Sequence, residues 1–119
     1  MRISILFFVL FTALSLPFGM NAQQSIKGIW NTGNQNTKIK IKEVNGKMIG
    51  VLSSSDNKKA KIGAKIIKDI QSKKGVWKGK LFAAKKRKWV DAVFKRKGNK
   101  LKITVSAGLI SKTIEWKRN

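Results

Sequence analysis

The sequence predicts an all-β protein: a small antiparallel up-and-down β-barrel of about eight strands that follows an N-terminal signal peptide. Apolar residues recur with a period of two rather than 3.6, as in strands that bury one face. Turn signals separate the apolar runs about every ten residues, which is typical of a barrel or a sandwich. Short consecutive hairpins favour the barrel, because closing a sheet removes its exposed edges.

The first 22 residues have the order of a secretory signal peptide. Arg2 is followed by an apolar run at 3–16, and then by Pro17, Gly19 and a small residue, Ala22, before Gln23. The alternative is a membrane anchor, but a bilayer span needs roughly 20 apolar residues and this run is shorter. We therefore expect a signal peptide at 1–22, a β-barrel domain at 23–119, export to the periplasm or the extracellular medium, and no transmembrane span in the mature chain.

The alternation of apolar and polar residues is clearest where lysine and isoleucine occupy successive positions. Ile39 and Ile41 alternate with lysines, and Leu101, Ile103 and Val105 do the same further along. The strands are predicted near residues 26–31, 37–44, 47–53, 65–71, 76–82, 88–95, 100–107 and 111–117. The segment "AKIGAKIIKDI" at 60–70 also fits an amphipathic helix.

Successive turns of an up-and-down barrel alternate between its two ends. The loops at 31–36, 54–64, 83–88 and 107–110 are therefore expected at one end. The turns at 45–46, 72–75 and 96–99 are expected at the other, and the first of these is Asn-Gly, the strongest short hairpin signal. Because the loops of the first group are longer, we expect them to form the open mouth.

The composition is strongly basic, with 27 lysines and arginines against five acidic residues. Loss of Arg2 with the signal peptide lowers the net charge from +22 to +21. The basic residues fall at both predicted ends and on the strand faces, whereas a dedicated nucleic-acid site concentrates charge on one face. Diffuse charge implies salt-sensitive, unselective attraction to polyanions such as lipopolysaccharide, acidic polysaccharide or DNA. We interpret the charge as surface adaptation, with a polyanion-binding function as the alternative.

The residue types present argue against catalysis. The chain has no histidine and no cysteine, so it lacks the commonest metal ligand, the commonest general base and any disulfide. The five carboxylates are scattered, and Ser53 to Ser55 have no histidine to activate them. We predict no catalytic residues, no metal site and no cofactor. Asp91 lies in phase with Trp89, so inward-facing rings would bury it beside a lysine partner.

Several motifs together resemble a known bacterial family. The chain opens with "GIWNTG" at 28–33 and runs through "TKIKIKEVNGKMIGVL" and "KIGAKIIKDI" to "WKGKLF", and it ends with "LISKTIEWKRN". This order is similar to domain of unknown function 2147 (DUF2147), a family of small exported proteins. The resemblance covers nearly all of the mature chain and implies a lipocalin-type antiparallel barrel, but no activity.

The chain departs from the family pattern in one loop. Family members carry Asp-Pro followed by glycine after the "WKGKLF" strand, whereas the loop here reads "AAKKRK" at 83–88. A role of the family's loop aspartate therefore does not carry over to this chain.

The first and last predicted strands carry an arrangement similar to that of calycins, in which an early Gly-x-Trp packs against a late arginine. Here these residues are Trp30, Trp116 and Arg118. The first and last strands are neighbours in a closed sheet, and a guanidinium can stack on an indole. We expect this trio to close the barrel.

The sequence favours a binding module for a small apolar or amphipathic ligand held inside the barrel. The alternative is a basic envelope protein that binds polyanions on its outside. The predicted ligand contacts are Trp30, Ile39, Ile41, Trp77, Leu81, Trp89, Ile103 and Val105, with Lys58, Lys86 and Arg87 as rim contacts for an anionic head group. Two other outcomes stay open: the same side chains form a solid core, or Trp89 faces outward as a stacking platform beside the basic loop.

Export makes a simple prediction. Mass spectrometry of the mature protein should show an N-terminus at or near Gln23, because the small residue Ala22 precedes it. Recovery of a full-length chain embedded in the membrane would contradict the assignment.

Overall fold

The computed structural model describes residues 24–118, so the predicted signal peptide lies outside the described residues. Those residues form a closed barrel of eight antiparallel strands, in which each strand pairs with the next and β8 returns to β1. The strands are β1 Gly28–Asn31, β2 Lys38–Val44, β3 Lys47–Ser54, β4 Lys65–Lys73, β5 Val76–Ala83, β6 Lys88–Lys97, β7 Lys100–Ala107 and β8 Ile110–Lys117.

The predicted fold class is confirmed. The segment at 60–70 that also fits a helix forms the end of a loop and the first part of β4. Within residues 24–118 no helix has the length and apolar character needed to cross a membrane.

The period-two pattern sorts side chains between the core and the solvent. On β2, Ile39 and Ile41 are buried while Lys40 and Lys42 are exposed, and β7 repeats the pattern. The lysines of the alternating stretch therefore form the solvated face of a strand. The core consists of Ile26, Trp30, Ile39, Ile41, Leu52, Ile67, Ile70, Leu81, Val90, Ala92, Phe94, Leu101, Ile103 and Trp116.

Tight hairpins define one end of the barrel, here called the closed end. The turns Asn45-Gly46 and Lys74-Gly75 have positive φ at both central residues, as a type I′ hairpin requires. The β6–β7 turn at 98–99 lies at the same end. The connections at 32–37, 55–64, 84–87 and 108–109 lie at the opposite end, here called the mouth.

Two glycines let the strands on one side of the barrel approach closely. A Cβ at Gly50 would lie 2.9 Å from Cδ1 of Ile67, and one at Gly79 would lie 2.9 Å from the carbonyl oxygen of Lys68. Next to this contact the register between β4 and β5 shifts, and Asp69 has a φ of 55°. The missing side chains of Gly50 and Gly79 therefore leave room for Ile67 and Ile70 of β4, which are buried in the core.

The join between the first and last strands is narrow. β1 has only four residues and pairs with β8 at a single position, Asn31 with Lys117. The preceding residues of β8 pair with β7 alone. From Lys117 toward the mouth, the edge of β8 that faces β1 therefore has no strand partner within residues 24–118, and we call this opening the seam.

The hairpin turns make a prediction about stability. Lys74 adopts the left-handed conformation, with a φ of 50°, although asparagine tolerates it better. We expect Lys74→Asn to raise the free energy of unfolding by about 0.5–1 kcal/mol in urea denaturation. Lys73→Asn removes the same charge from an ordinary strand position and should not stabilise the protein. Equal stabilisation by both variants would assign the effect to charge rather than to the turn.

Candidate functional site

The closed end is covered by the segment that precedes β1, residues 24–27, here called the plug. Within the plug, the side chain of Ile26 is fully buried. Every carbonyl oxygen of the plug accepts a hydrogen bond from a barrel side chain, at 2.5 to 3.0 Å: Gln24 from Trp77, Ser25 from Arg96, Ile26 from Trp30, and Lys27 from Arg118. These four donors hold the plug across the end of the barrel.

The ring of Trp30 lies at the centre of this arrangement and is fully buried. The guanidinium carbon of Arg118 is 4.4 Å from its ring centroid, and that of Arg96 is 5.7 Å away. Burial lowers the pKa of Arg118, and the positive charge of Arg96 lowers it further.

Arg118 fits only because Gly28 has no side chain. A Cβ on Gly28 would lie 2.7 Å from Nη2 of Arg118. The backbone N–H of Arg118 also donates to the carbonyl of Asn99, at 2.8 Å, which ties the end of β8 to the β6–β7 turn. Trp116 is buried in the core opposite Leu101. Trp30 and Arg118 thus meet at the closed end, and Trp116 packs in the core above them.

A cavity of about 360 Å³ opens at the mouth, between the β5–β6 turn and the β7–β8 hairpin. We call it the mouth basin. Its lining is apolar except for Ser106 and three lysines. The apolar residues are Ala83, Ala84, Val90, Val105, Ala107 and Ile110, and the lysines are Lys85, Lys86 and Lys112.

Lys112 reaches the basin because of its strand phase. It lies opposite Val105, and its neighbours on the same face of β8 are Ile114 and Trp116. Neither Lys112 nor Lys85 is among the ligand contacts predicted from the sequence. The available signal was the alternation of β8, which places Lys112 on the inner face although its side chain is charged.

A second cavity, of about 430 Å³, opens at the mouth, where the loops at 32–37 and 55–64 and residues of β2, β3, β4, β5 and β8 line it. We call it the seam cleft. Thr32 and Thr37 line it from the loop, Ile114 lines it from β8, and Leu52 lines it from β3. Both cavities are bounded by Ala84, so they adjoin at the mouth.

The predicted ligand contacts separate into groups. Val105 and Lys86 line the mouth basin, while Ile39 and Leu81 line the seam cleft. Trp30, Ile41 and Ile103 are buried in the core and line neither cavity. The middle of the barrel is therefore packed with side chains, and the basin and the cleft lie at the mouth. A further cavity of about 460 Å³ lies at the closed end beside Gln24, Trp77 and Arg96.

Three further predicted contacts lie away from the basin and the cleft. Trp77 is at the closed end, where it holds the plug. Lys58 is in the loop at 55–64, and Arg87 is in the β5–β6 turn with a φ of 51°. Lys58 and Arg87 are at the mouth end but line neither the basin nor the cleft.

The prediction that Trp89 lines the barrel interior was wrong. Val90, Ala92 and Phe94 face inward, so alternation directs Trp89 outward. Its ring packs edge-to-face on Phe82, with centroids 5.4 Å apart, and Nζ of Lys68 is 4.5 Å from its centroid.

Asp91 faces outward in the same phase as Trp89. Its side chain is 73% exposed, so the condition for its burial, an inward-facing ring at 89, is not met. It does pair with a lysine: Nζ of Lys80 is 2.6 Å from Oδ1 of Asp91. The hydrogen bond to this carboxylate, followed by its negative charge, raises the pKa of Lys80.

The surface charge is largely unbalanced. Two ion pairs form within residues 24–118, Lys27 with Glu43 at 3.0 Å and Lys80 with Asp91. No group of three or more carboxylates in this part of the chain is placed to hold a metal ion.

No protein-family model matches the chain, and no curated protein or solved structure does. The resemblance to domain of unknown function 2147 stays a prediction from the motifs quoted above.

The closed end makes a prediction with a matched control. Gly28 has a φ of +125°, and its substituent would collide with Arg118, whereas Gly33 has a φ of +79° and open space around it. We expect Gly28→Ala to lower the free energy of unfolding by about 3 kcal/mol, and Gly33→Ala by about 1 kcal/mol, from backbone strain alone. Urea denaturation measures both values. Equal losses would show that the contact with Arg118 contributes nothing.

Proposed function

We propose that this protein is an exported binding module that takes a small amphipathic anion in the mouth basin. The observation that carries the proposal is the lining of the basin: three lysines surround an otherwise almost wholly apolar cavity at the open end. Small-molecule sites typically have about 300–1,000 Å³ of space and a few polar groups in an apolar lining. The basin is at the lower end of that range.

The expected ligand has an apolar tail and an acidic head group. Val90 and Val105 offer the tail an apolar wall, and Lys85, Lys86 and Lys112 offer the head group a choice of cations. Each buried methylene contributes about 0.8 kcal/mol, whereas an exposed ion pair contributes about 0–1 kcal/mol. The tail therefore sets most of the affinity, and the lysines select an anion and orient it.

The proposal includes export and excludes catalysis. Export to the periplasm or the medium rests on the order of residues at 1–22. A binding role without catalysis is supported by the dispersal of the carboxylates over separate elements: Glu43 on β2, Asp56 in the loop at 55–64, Asp69 on β4, Asp91 on β6 and Glu115 on β8.

A second candidate function is the binding of polyanions on the outside of the barrel. It is favoured by the small number of ion pairs in residues 24–118, which leaves most of the 26 basic residues after Arg2 without a carboxylate partner. Trp89 and Lys68 stand together on the outer wall, where an aromatic face beside a cation suits sugars or bases.

Titration with a fluorescent fatty-acid analogue tests the first function. We expect saturable binding by the wild-type protein, and we expect Lys112→Gln to weaken it about fivefold, which corresponds to about 1 kcal/mol. Lys58→Gln removes the same charge outside the basin, and Trp89→Ala removes a ring from the outer wall, so neither should alter the affinity. An absence of saturable binding in the wild type would contradict the proposal.

Heparin and DNA test the second function. If the attraction is due to diffuse charge, the logarithm of the binding constant should fall steeply and linearly with the logarithm of the salt concentration. The binding constant should not depend on the DNA sequence. Isothermal titration at several salt concentrations measures the slope. Tight binding that persists at several hundred millimolar salt, where such contacts are screened, would instead indicate a specific anion site.

A further inference from the structure

One edge of β8 has no strand partner along most of its length. β8 runs from Ile110 to Lys117 and pairs with β7 throughout, from Ala107–Ile110 to Lys100–Lys117. On its other side, within residues 24–118, it meets β1 only at Asn31–Lys117. The backbone groups of residues 110–116 that face this side are therefore a template for another strand.

The space beside this edge suits an added strand. The seam cleft has a volume of about 430 Å³, and β8 and the loop at 32–37 both border it. An added strand directs alternate side chains to opposite faces. Those on its inner face would enter the cleft over Ile39, Leu52 and Ile114, which are apolar. The groove thus offers both main-chain pairing and apolar pockets at strand spacing.

The charge of the barrel indicates the kind of partner. On the outer face of β8, Lys117 and Glu115 offset each other, while Lys112 is on the inner face and Arg118 is held against Trp30. The charge that acts on a partner is therefore that of the whole barrel, with 26 basic and five acidic residues after Arg2. A second copy of the chain would bring an equal large positive charge and would be repelled. An acidic segment would be attracted.

We propose that the free edge of β8 and the seam cleft form a docking groove for an extended acidic peptide segment of another protein, bound by β-strand addition. The segment alternates apolar residues, which enter the cleft, with acidic residues, which face the solvent at the positively charged surface of the barrel. At ~3.3 Å per residue, seven residues match the length of the open edge.

The probe is a synthetic octapeptide of alternating valine and aspartate, compared with two versions that are N-methylated at its odd or its even positions. Hydrogen bonds from a strand to one neighbour use alternate residues, so one N-methylated version blocks the pairing and the other leaves it intact. We expect the unmodified peptide and one version to bind alike, and the other version to bind at least about tenfold more weakly. Equal binding of all three would reduce the interaction to charge and overturn the proposal.

Amide hydrogen exchange by NMR locates the site. On addition of the unmodified peptide, alternate amides within residues 110–116 should exchange at least about tenfold more slowly, while those of the closed end should not change. Lys117→Glu should weaken binding severalfold at low salt, and Lys58→Glu, at a mouth loop, should weaken it less. Protection elsewhere, or none on β8, would overturn the proposal.

Self-association is the competing outcome. Sedimentation of the protein alone, with exchange rates measured at two protein concentrations, distinguishes the two occupants. A monomer with rapidly exchanging edge amides supports a groove that is free for a peptide. A dimer whose β8 amides are protected as the concentration rises would assign the edge to a second copy and overturn the proposal.

Discussion

The barrel depends on the contact between Trp30 and the two arginines beneath the plug. Ordering the four plug residues costs about 4–8 kcal/mol of conformational entropy. Their four hydrogen bonds, two of them from charged guanidinium groups, contribute about 4–9 kcal/mol, and burying Ile26 contributes about 1.5–3 kcal/mol. The two guanidinium bonds are the larger part of this sum, and the stacking of Arg118 and Arg96 on Trp30 orients both donors. Because Arg118 also bonds to Asn99, the same contact fixes the end of β8.

Closing one end with side chains leaves the mouth basin and the seam cleft at the other. The core residues of β2, β5 and β7 fill the middle of the barrel. Turns of two residues and the plug cover the closed end, whereas the longer connections of the mouth leave the basin and the cleft between them. A ligand held here is therefore partly exposed, and its polar group lies near the solvent, where lysines without carboxylate partners are stable.

The short β1 and the positive charge act together on the edge of β8. A β1 of four residues cannot cover a β8 of eight, so the barrel joins at Asn31–Lys117 and opens toward the mouth. An uncovered edge ordinarily promotes aggregation, but the large positive charge of the barrel opposes pairing with a second copy. The same charge favours the acidic segment proposed above.

The sequence by itself determined the strands, the order of the barrel and the division of turns between its ends, because a period of two and the Asn-Gly signal are local properties. It also identified Trp30 with Arg118 as an end-closing pair. Only the tertiary structure decided that Trp89 faces outward, because the phase of β6 is set by Val90, Ala92 and Phe94, and the sequence "KWVDAVF" places apolar residues on both faces. The lining of the mouth basin also depends on the tertiary structure. Lys112 joins Lys85 and Lys86 there only because the β7–β8 register places Lys112 opposite Val105. Strand pairing brings together residues that are distant in sequence, and a local pattern does not specify which of them meet.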